Sequence, residues 1–107
     1  MKPVYVDVPH RVIADTMRDP FGEDVTWVNR INVPKAHRGK KLGSAMLRRL
    51  CDEADAEGVT LVLQPLATGG LGGPALIAWY KRYGFTWDHD YVVNGKKIAG
   101  RMIRRPL

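Results

Sequence analysis

Residues 33–47 read VPKAHRGKKLGSAML, and this stretch holds the densest chemistry in the sequence. An apolar run ends at Pro34. Lys35, Arg38, Lys40 and Lys41 follow, with Gly39 among them, and a helix-compatible run then begins near Leu42 with Gly43 and Ser44 in its first turn. A strand that ends in a glycine-containing loop and leads into a helix presents about four backbone N–H groups without intrahelical partners. The helix dipole adds positive potential at the same place, so an anion is favoured there. Gly39 and Gly43 permit close backbone approach, and Arg38, Lys40 and Lys41 can add charge-assisted hydrogen bonds. A diphosphate suits this combination. The spacing by itself fits a solvated basic turn equally well, because neither G-x-G-x-x-G nor G-x-x-x-x-G-K-[ST] is present.

The flanking segments say what would position that loop. PVYVDV (3–8) alternates and is rich in valine, and RVIADTM (11–17) can return beside it after a turn at Pro9-His10. RDPFGED (18–24) reads as loop, and VTWVNRINV (25–33) as a strong strand stopped by Pro34. From Lys41 to Gly58 the spacing predicts a helix, with Leu42, Met46, Leu50 and Ala54 on one face and Ala45 and Leu47 beside them. VTLVLQPL (59–66) is then a strand. The order strand, loop, helix, strand predicts a parallel pair. ATGGLGG (67–73) reads as flexible, Pro74 opens a helix through PALIAWYKRY, and Gly84 ends it. FTWDHDYVV and KIAGRMIRR read as a hairpin turning at Asn94-Gly95.

Composition narrows the partners. The 107 residues make one domain's worth of chain, taken as 1–107. Lys and Arg number 17 against 11 Asp and Glu, a net charge of +6 that favours an anionic partner. Cys51 is the only cysteine, which excludes an intramolecular disulfide, and it falls beside the apolar helix stripe as a core residue. His10, His37 and His89 lack metal-ligand spacing, so no metal is expected. No apolar run approaches about 18 residues and no signal-peptide block opens the chain, so no membrane span is expected and a cytoplasmic location is the default. A nucleic-acid-binding reading rests on Arg48, Arg49, Lys81, Arg82, Arg101, Arg104 and Arg105 forming a basic patch.

Two further stretches share a pattern with the loop. AWYKRYGF (78–85) places Tyr80 four residues before Gly84, and MIRRP (102–106) closes the chain. Together with INVPKAHRGKKLGSAML, in this order, they resemble the GNAT superfamily of acyl-CoA N-acyltransferases over residues 25–107. The resemblance implies a mixed α/β (α+β) fold: a central, mostly antiparallel sheet splayed at a parallel strand pair, with two main helices. It implies acetyl-CoA as cosubstrate and an amine as acceptor. Ile31, Asn32 and Val33 would hydrogen-bond the pantetheine arm, and Arg38, Gly39, Lys40, Lys41, Leu42, Gly43 and Ser44 would wrap the coenzyme A diphosphate. Tyr80 matches the tyrosine that protonates the leaving thiolate, with Tyr83 and Phe85 lining the region or packing.

This chain departs from the family pattern in three places. Lys41 stands where the family usually has a glycine, and its Cβ calls for an ordinary φ. Gly73 stands where many members carry an asparagine. Residues 1–24 leave almost no room for the usual N-terminal strand and helices, so a homodimer covering the exposed edge is expected. Direct attack by the amine would be helped by a backbone N–H near Val33 polarising the thioester. Glu23, Asp24, Asp88 or a water chain could act as base. The readings that compete with an acetyltransferase are an acyl-CoA-binding module without efficient catalysis and a basic nucleic-acid-binding protein.

Overall fold

The computed structural model describes residues 1–20, 24–65, 73–87, 92–93, 96–97 and 100–107. The valine-rich N-terminal segments form β1 (Val4–Asp7), β2 (Val12–Arg18) and β3 (Val25–Asn32), antiparallel neighbours in sequence order. Pro34 leads into a 3₁₀ turn at Lys35–His37, then α1 (Leu42–Glu57) and β4 (Thr60–Leu63). α2 (Gly73–Arg82) is followed by the short strands β5 (Thr86–Trp87), β6 (Val92–Val93), β7 (Lys96–Lys97) and β8 (Met102–Arg104). Six strands form one sheet in the order β1-β2-β3-β4-β8-β5, and β3–β4 is its one parallel pair. The expected fold class is therefore observed. β6 and β7 pair through Val92–Lys97 and Val93–Lys96, as the C-terminal hairpin requires. Its turn at Asn94-Gly95 lies outside the described residues, as do residues 67–72 of the glycine-rich segment and the base candidates Glu23 and Asp88.

Both helices pack on the same face of the sheet. Met46, Leu47, Leu50, Cys51 and Ala54 of α1 join Leu76, Trp79 and Tyr80 of α2 in one core with Val28, Leu61 and Leu63 of the strands. The apolar stripe of α1 is flanked by Leu47 and Cys51 on its buried side, which leaves Ala45 on the opposite flank and exposed. Burial keeps the Cys51 thiol protonated by pushing it up to about 11, as befits a core residue.

α1 and α2 meet along a seam with a regular offset. Trp79 Nε1 donates to Ser44 Oγ at 2.9 Å. Four residues further along both helices, the Arg48 guanidinium lies 5.2 Å from the centre of the Tyr83 ring. The helices thus run in the same direction, with positions 44 and 48 beside positions 79 and 83.

Two irregularities open the sheet at one place. β2 and β3 pair Asp15 with Arg30 but Thr16 with Val28, so Asn29 is an extra residue, a bulge that bends and twists its strand. The β3–β4 ladder ends at Val28–Leu63, one residue before that bulge, while β3 continues to Asn32. The parallel strands part there.

The C-terminal end of α1 is closed. Gly58 takes a left-handed conformation with φ 69°, donating to Asp55 O at 3.3 Å while Val59 N donates to Ala54 O at 2.8 Å, the paired bonds of a Schellman stop. Arg104 Nη1 and Nη2 bind the two Asp55 carboxylate oxygens at 2.7 and 2.9 Å, and Arg104 Nε donates to Tyr83 O at 2.7 Å. Leu107 N donates to Asp55 as well. The candidate basic patch loses one member here. Arg104 is only 6% exposed because its whole guanidinium is spent on this clasp. Arg48, Arg49 and Arg101 lie over the rings of Tyr83, Tyr5 and Trp27.

Candidate functional site

A cleft of about 280 Å³ opens where β3 outruns β4. Ile31 and Val33 form its inner wall, and the loop before α1 and that helix's first turn form the second. Trp79 and Arg82 of α2 form the third. The volume is near the lower end of ordinary ligand pockets.

The loop is held by short-range geometry. His37 N donates to Pro34 O at 2.8 Å, which fixes the 3₁₀ turn, and Arg38 Nε donates to Val33 O at 3.1 Å, which ties the loop back to the strand end. Gly39 has φ 82°, with open space where a Cβ would stand, so its glycine is needed for conformation and not for clearance. Lys41 also lies in the left-handed region, at φ 61°. The expectation that its Cβ would impose an ordinary φ is therefore corrected. The chain must turn sharply from the loop into α1, and Lys41 carries the conformation that a glycine would take there at lower cost.

α1 starts without a side-chain cap and without an acid in its first turn. Its first intrahelical bond runs from Ala45 N to Lys41 O at 3.1 Å, so the amides of Leu42, Gly43 and Ser44 precede the ladder. All three residues line the cleft. A Cβ on Gly43 would stand 3.3 Å from Val33 Cγ2 and 3.7 Å from Trp79 Cζ2, so this glycine lets the helix start approach both other walls. Arg38, Lys41 and Arg82 line the cleft, and no carboxylate does among the described residues. The His37 Nδ1 is buried without a hydrogen-bond partner among the described residues, and its ring stands edge-on to His10 at 5.3 Å.

The profile of the acetyltransferase (GNAT) domain matches residues 4–87. The chain belongs to the GNAT acetyltransferase family. Among solved structures, 14 chains match. The ribosomal-protein-S18-alanine N-acetyltransferase from Escherichia coli is 28% identical, with a TM-score of 0.66 over 88% of this chain and 60% of that one. An IAA acetyltransferase from Bacillus cereus is 20% identical, with a TM-score of 0.58 over 88% of this chain and 69% of that one. N-acetylglutamate synthase from Neisseria gonorrhoeae, solved with coenzyme A and N-acetyl-glutamate, is 17% identical, with a TM-score of 0.57 over 88% of this chain and 22% of that one. The latter two share the fold. This GNAT chain spans about 60% of the length of the S18-alanine enzyme. No curated protein sequence matches it. Among the described residues, no helix is long and apolar enough to cross a membrane.

Most residues picked out from sequence gather at this cleft. Ile31, Val33, Arg38, Gly39, Lys41, Leu42, Gly43 and Ser44 line it, whereas Asn32 and Lys40 are exposed and lie outside its lining. Tyr80 also lies outside the lining. It is 5% exposed, with its ring centre 4.9 Å from that of Trp79 and 5.5 Å from that of Phe85. Burial pushes its hydroxyl up to about 12. Asp24 sits at the start of β3, and the cleft at its far end, a strand length of roughly 25 Å away. Three lining residues lack a site role in the sequence reading: His37, Trp79, which it allows as core or groove lining, and Arg82. The signal for the last two was present. Trp79 and Arg82 are three apart, hence on one helix face, which is one step around α2 from Tyr80.

Proposed function

We propose that this chain is an acetyl-CoA-dependent N-acetyltransferase that moves an acetyl group from the thioester to an amine by direct attack. The observation that carries this reading is the uncapped, cationic start of α1 at the point where the parallel strands of a GNAT fold part. The diphosphate sits on the Leu42, Gly43 and Ser44 amides, with Arg38, Gly39, Lys40 and Lys41 around it. The pantetheine arm runs inward beside Ile31, Asn32 and Val33, beyond the end of the β3–β4 ladder. A backbone N–H near Val33 polarises the thioester carbonyl as the amine attacks. The tetrahedral intermediate collapses with cleavage of the C–S bond; Tyr80 supplies a proton to the departing sulfur, the nitrogen gives up its surplus proton to water, and solvent reprotonates the phenolate. Because burial holds that proton tightly, the contribution of Tyr80 belongs at the low end for general acids, about 10²-fold.

The test is release of free thiol from acetyl-CoA in the presence of an amine panel. The panel starts with a peptide bearing an N-terminal alanine, since the 28%-identical relative is an S18-alanine N-acetyltransferase, and extends to polyamines and aminoglycosides. Acceptor-dependent thiol release that falls about 100-fold in Tyr80→Phe, with coenzyme A affinity unchanged, supports the reading. A second reading, an acyl-CoA-binding module without efficient catalysis, draws on the burial of Tyr80 away from the cleft lining. Saturable acetyl-CoA binding with no thiol release from any acceptor selects it.

A further inference from the structure

The cleft has cationic walls on two sides, and only one is the loop that holds a diphosphate. Arg38 and Lys41 come from that loop, whereas Arg82 comes from the last turn of α2 on the facing wall. Arg82 lines the cleft three residues after Trp79, whose indole is fixed by its bond to Ser44 in the first turn of α1. The seam between the helices therefore sets where the backbone of Arg82 stands relative to the diphosphate amides. Among the described residues no carboxylate pairs with Arg82, and none lines the cleft.

Charge matching indicates what a third cation is for. A diphosphate diester carries about two negative charges, which Arg38, Lys41 and the helix start already match. A phosphomonoester brings a further −1.5 to −2 at about pH 7, with three strong acceptor oxygens. Coenzyme A has such a group on its ribose, the 3′-phosphate, a few bonds from the diphosphate. Phosphopantetheine donors and dephospho-coenzyme A lack it.

We propose that Arg82 reads the 3′-phosphate of coenzyme A, so that this site separates coenzyme A thioesters from donors carrying the pantetheine arm without that phosphate. The assignment rests on the cleft being the coenzyme A site. Arginine suits the task because its planar fork binds phosphate oxygens in pairs. In the last turn of a 10-residue helix, its backbone is already positioned before the ligand arrives.

The experiment compares binding of coenzyme A, dephospho-coenzyme A and 4′-phosphopantetheine to the full chain by calorimetry at fixed salt. The variants are Arg82→Gln and, as a control for loss of one exposed charge, Arg49→Gln on the outer side of α1. In the wild type, coenzyme A should bind about 10-fold more tightly than dephospho-coenzyme A. In Arg82→Gln that ratio should fall to near 1, with dephospho-coenzyme A affinity unchanged, while Arg49→Gln keeps the wild-type ratio. A wild-type ratio near 1 overturns the proposal, as does an Arg82→Gln variant that keeps the ratio or weakens both ligands equally. The wild-type comparison stands even if a variant fails to fold. If dephospho-coenzyme A and phosphopantetheine bind but are not distinguished from coenzyme A, Arg82 loses its role while the site reading survives. Binding of none of the three overturns both.

Discussion

The two ends of α1 are built in opposite ways. At Glu57 and Gly58 the chain satisfies itself. A left-handed glycine stops the helix, its last carbonyls accept backbone bonds, and Asp55 grips Arg104 in two parallel hydrogen bonds while accepting a third from Leu107 N. At Lys41 and Leu42 the chain leaves its own needs unmet. No side chain caps the helix, no acid offsets its dipole, and a lysine is held in a conformation suited to glycine. The contrast separates stability from binding along one 16-residue helix. The closed end anchors α1 against β8 and the end of α2, and that anchorage lets the open end keep bare amides and positive charge for the ligand proposed there.

The sharpest way to break this contrast is at the clasp. Asp55→Ala strands Arg104 as an unpaired, 6%-exposed cation. Losing one partner of a largely buried pair should cost about 3 kcal/mol, because the remaining charge stays desolvated. For a domain of this size that lowers the melting temperature by roughly 12–20 °C. Coenzyme A affinity, measured below the transition, should be unchanged. A comparable loss of affinity would show that the two ends are not separable.

At the open end the signs reverse. Lys41→Glu puts a carboxylate where the helix dipole favours one, so stability should hold or rise by about 0.3–1 kcal/mol. The same change sets a negative charge against the proposed diphosphate site, and on that reading should weaken coenzyme A by about 10- to 100-fold. Thermal melting and calorimetry on one sample read both effects.

Acid should weaken the closed end. The hydrogen bond from Arg104 holds the Asp55 carboxyl below its ordinary 3.8, against the opposing effect of partial burial. The folded state therefore binds fewer protons at Asp55 than the unfolded chain does. The stabilisation is complete above the unfolded value and is lost as pH falls through the lower folded one. Stability against urea should decline below about pH 4 in the wild type, and this decline should be shallower in Asp55→Asn, which has no proton to take up there.

How far the sequence foretold these two ends follows from the range of each signal. The open end was legible because its parts are contiguous: β3 stopped by Pro34, the basic glycine loop and the start of α1 fall within residues 25–47. The Gly58 stop was legible for the same reason. The clasp was not, because Asp55 and Arg104 stand 49 residues apart and each alone looks like a solvated charge. The bulge at Asn29 was also hidden, since it is a mismatch between two strands and no residue type marks it. At Lys41 the residue type pointed the wrong way. Local preference favours an ordinary φ, but the turn into α1 overrules it.

That override supplies the smallest and most informative change. Lys41→Gly relieves a left-handed side-chain penalty of roughly 1–2 kcal/mol and adds unfolded-state freedom worth roughly 0.5–1 kcal/mol. The relief is about twice the cost, so the melting temperature should rise by a few degrees. The backbone φ of 61° should persist, because glycine adopts it readily. Only the ammonium is then removed from the cleft, and coenzyme A should bind several-fold more weakly, less than the loss in Lys41→Glu. If Lys41→Gly instead binds coenzyme A more tightly, the strain at this position opposes binding and the ammonium makes no phosphate contact. The open end would then owe its affinity to the amides of Leu42, Gly43 and Ser44 and to the arginines around them.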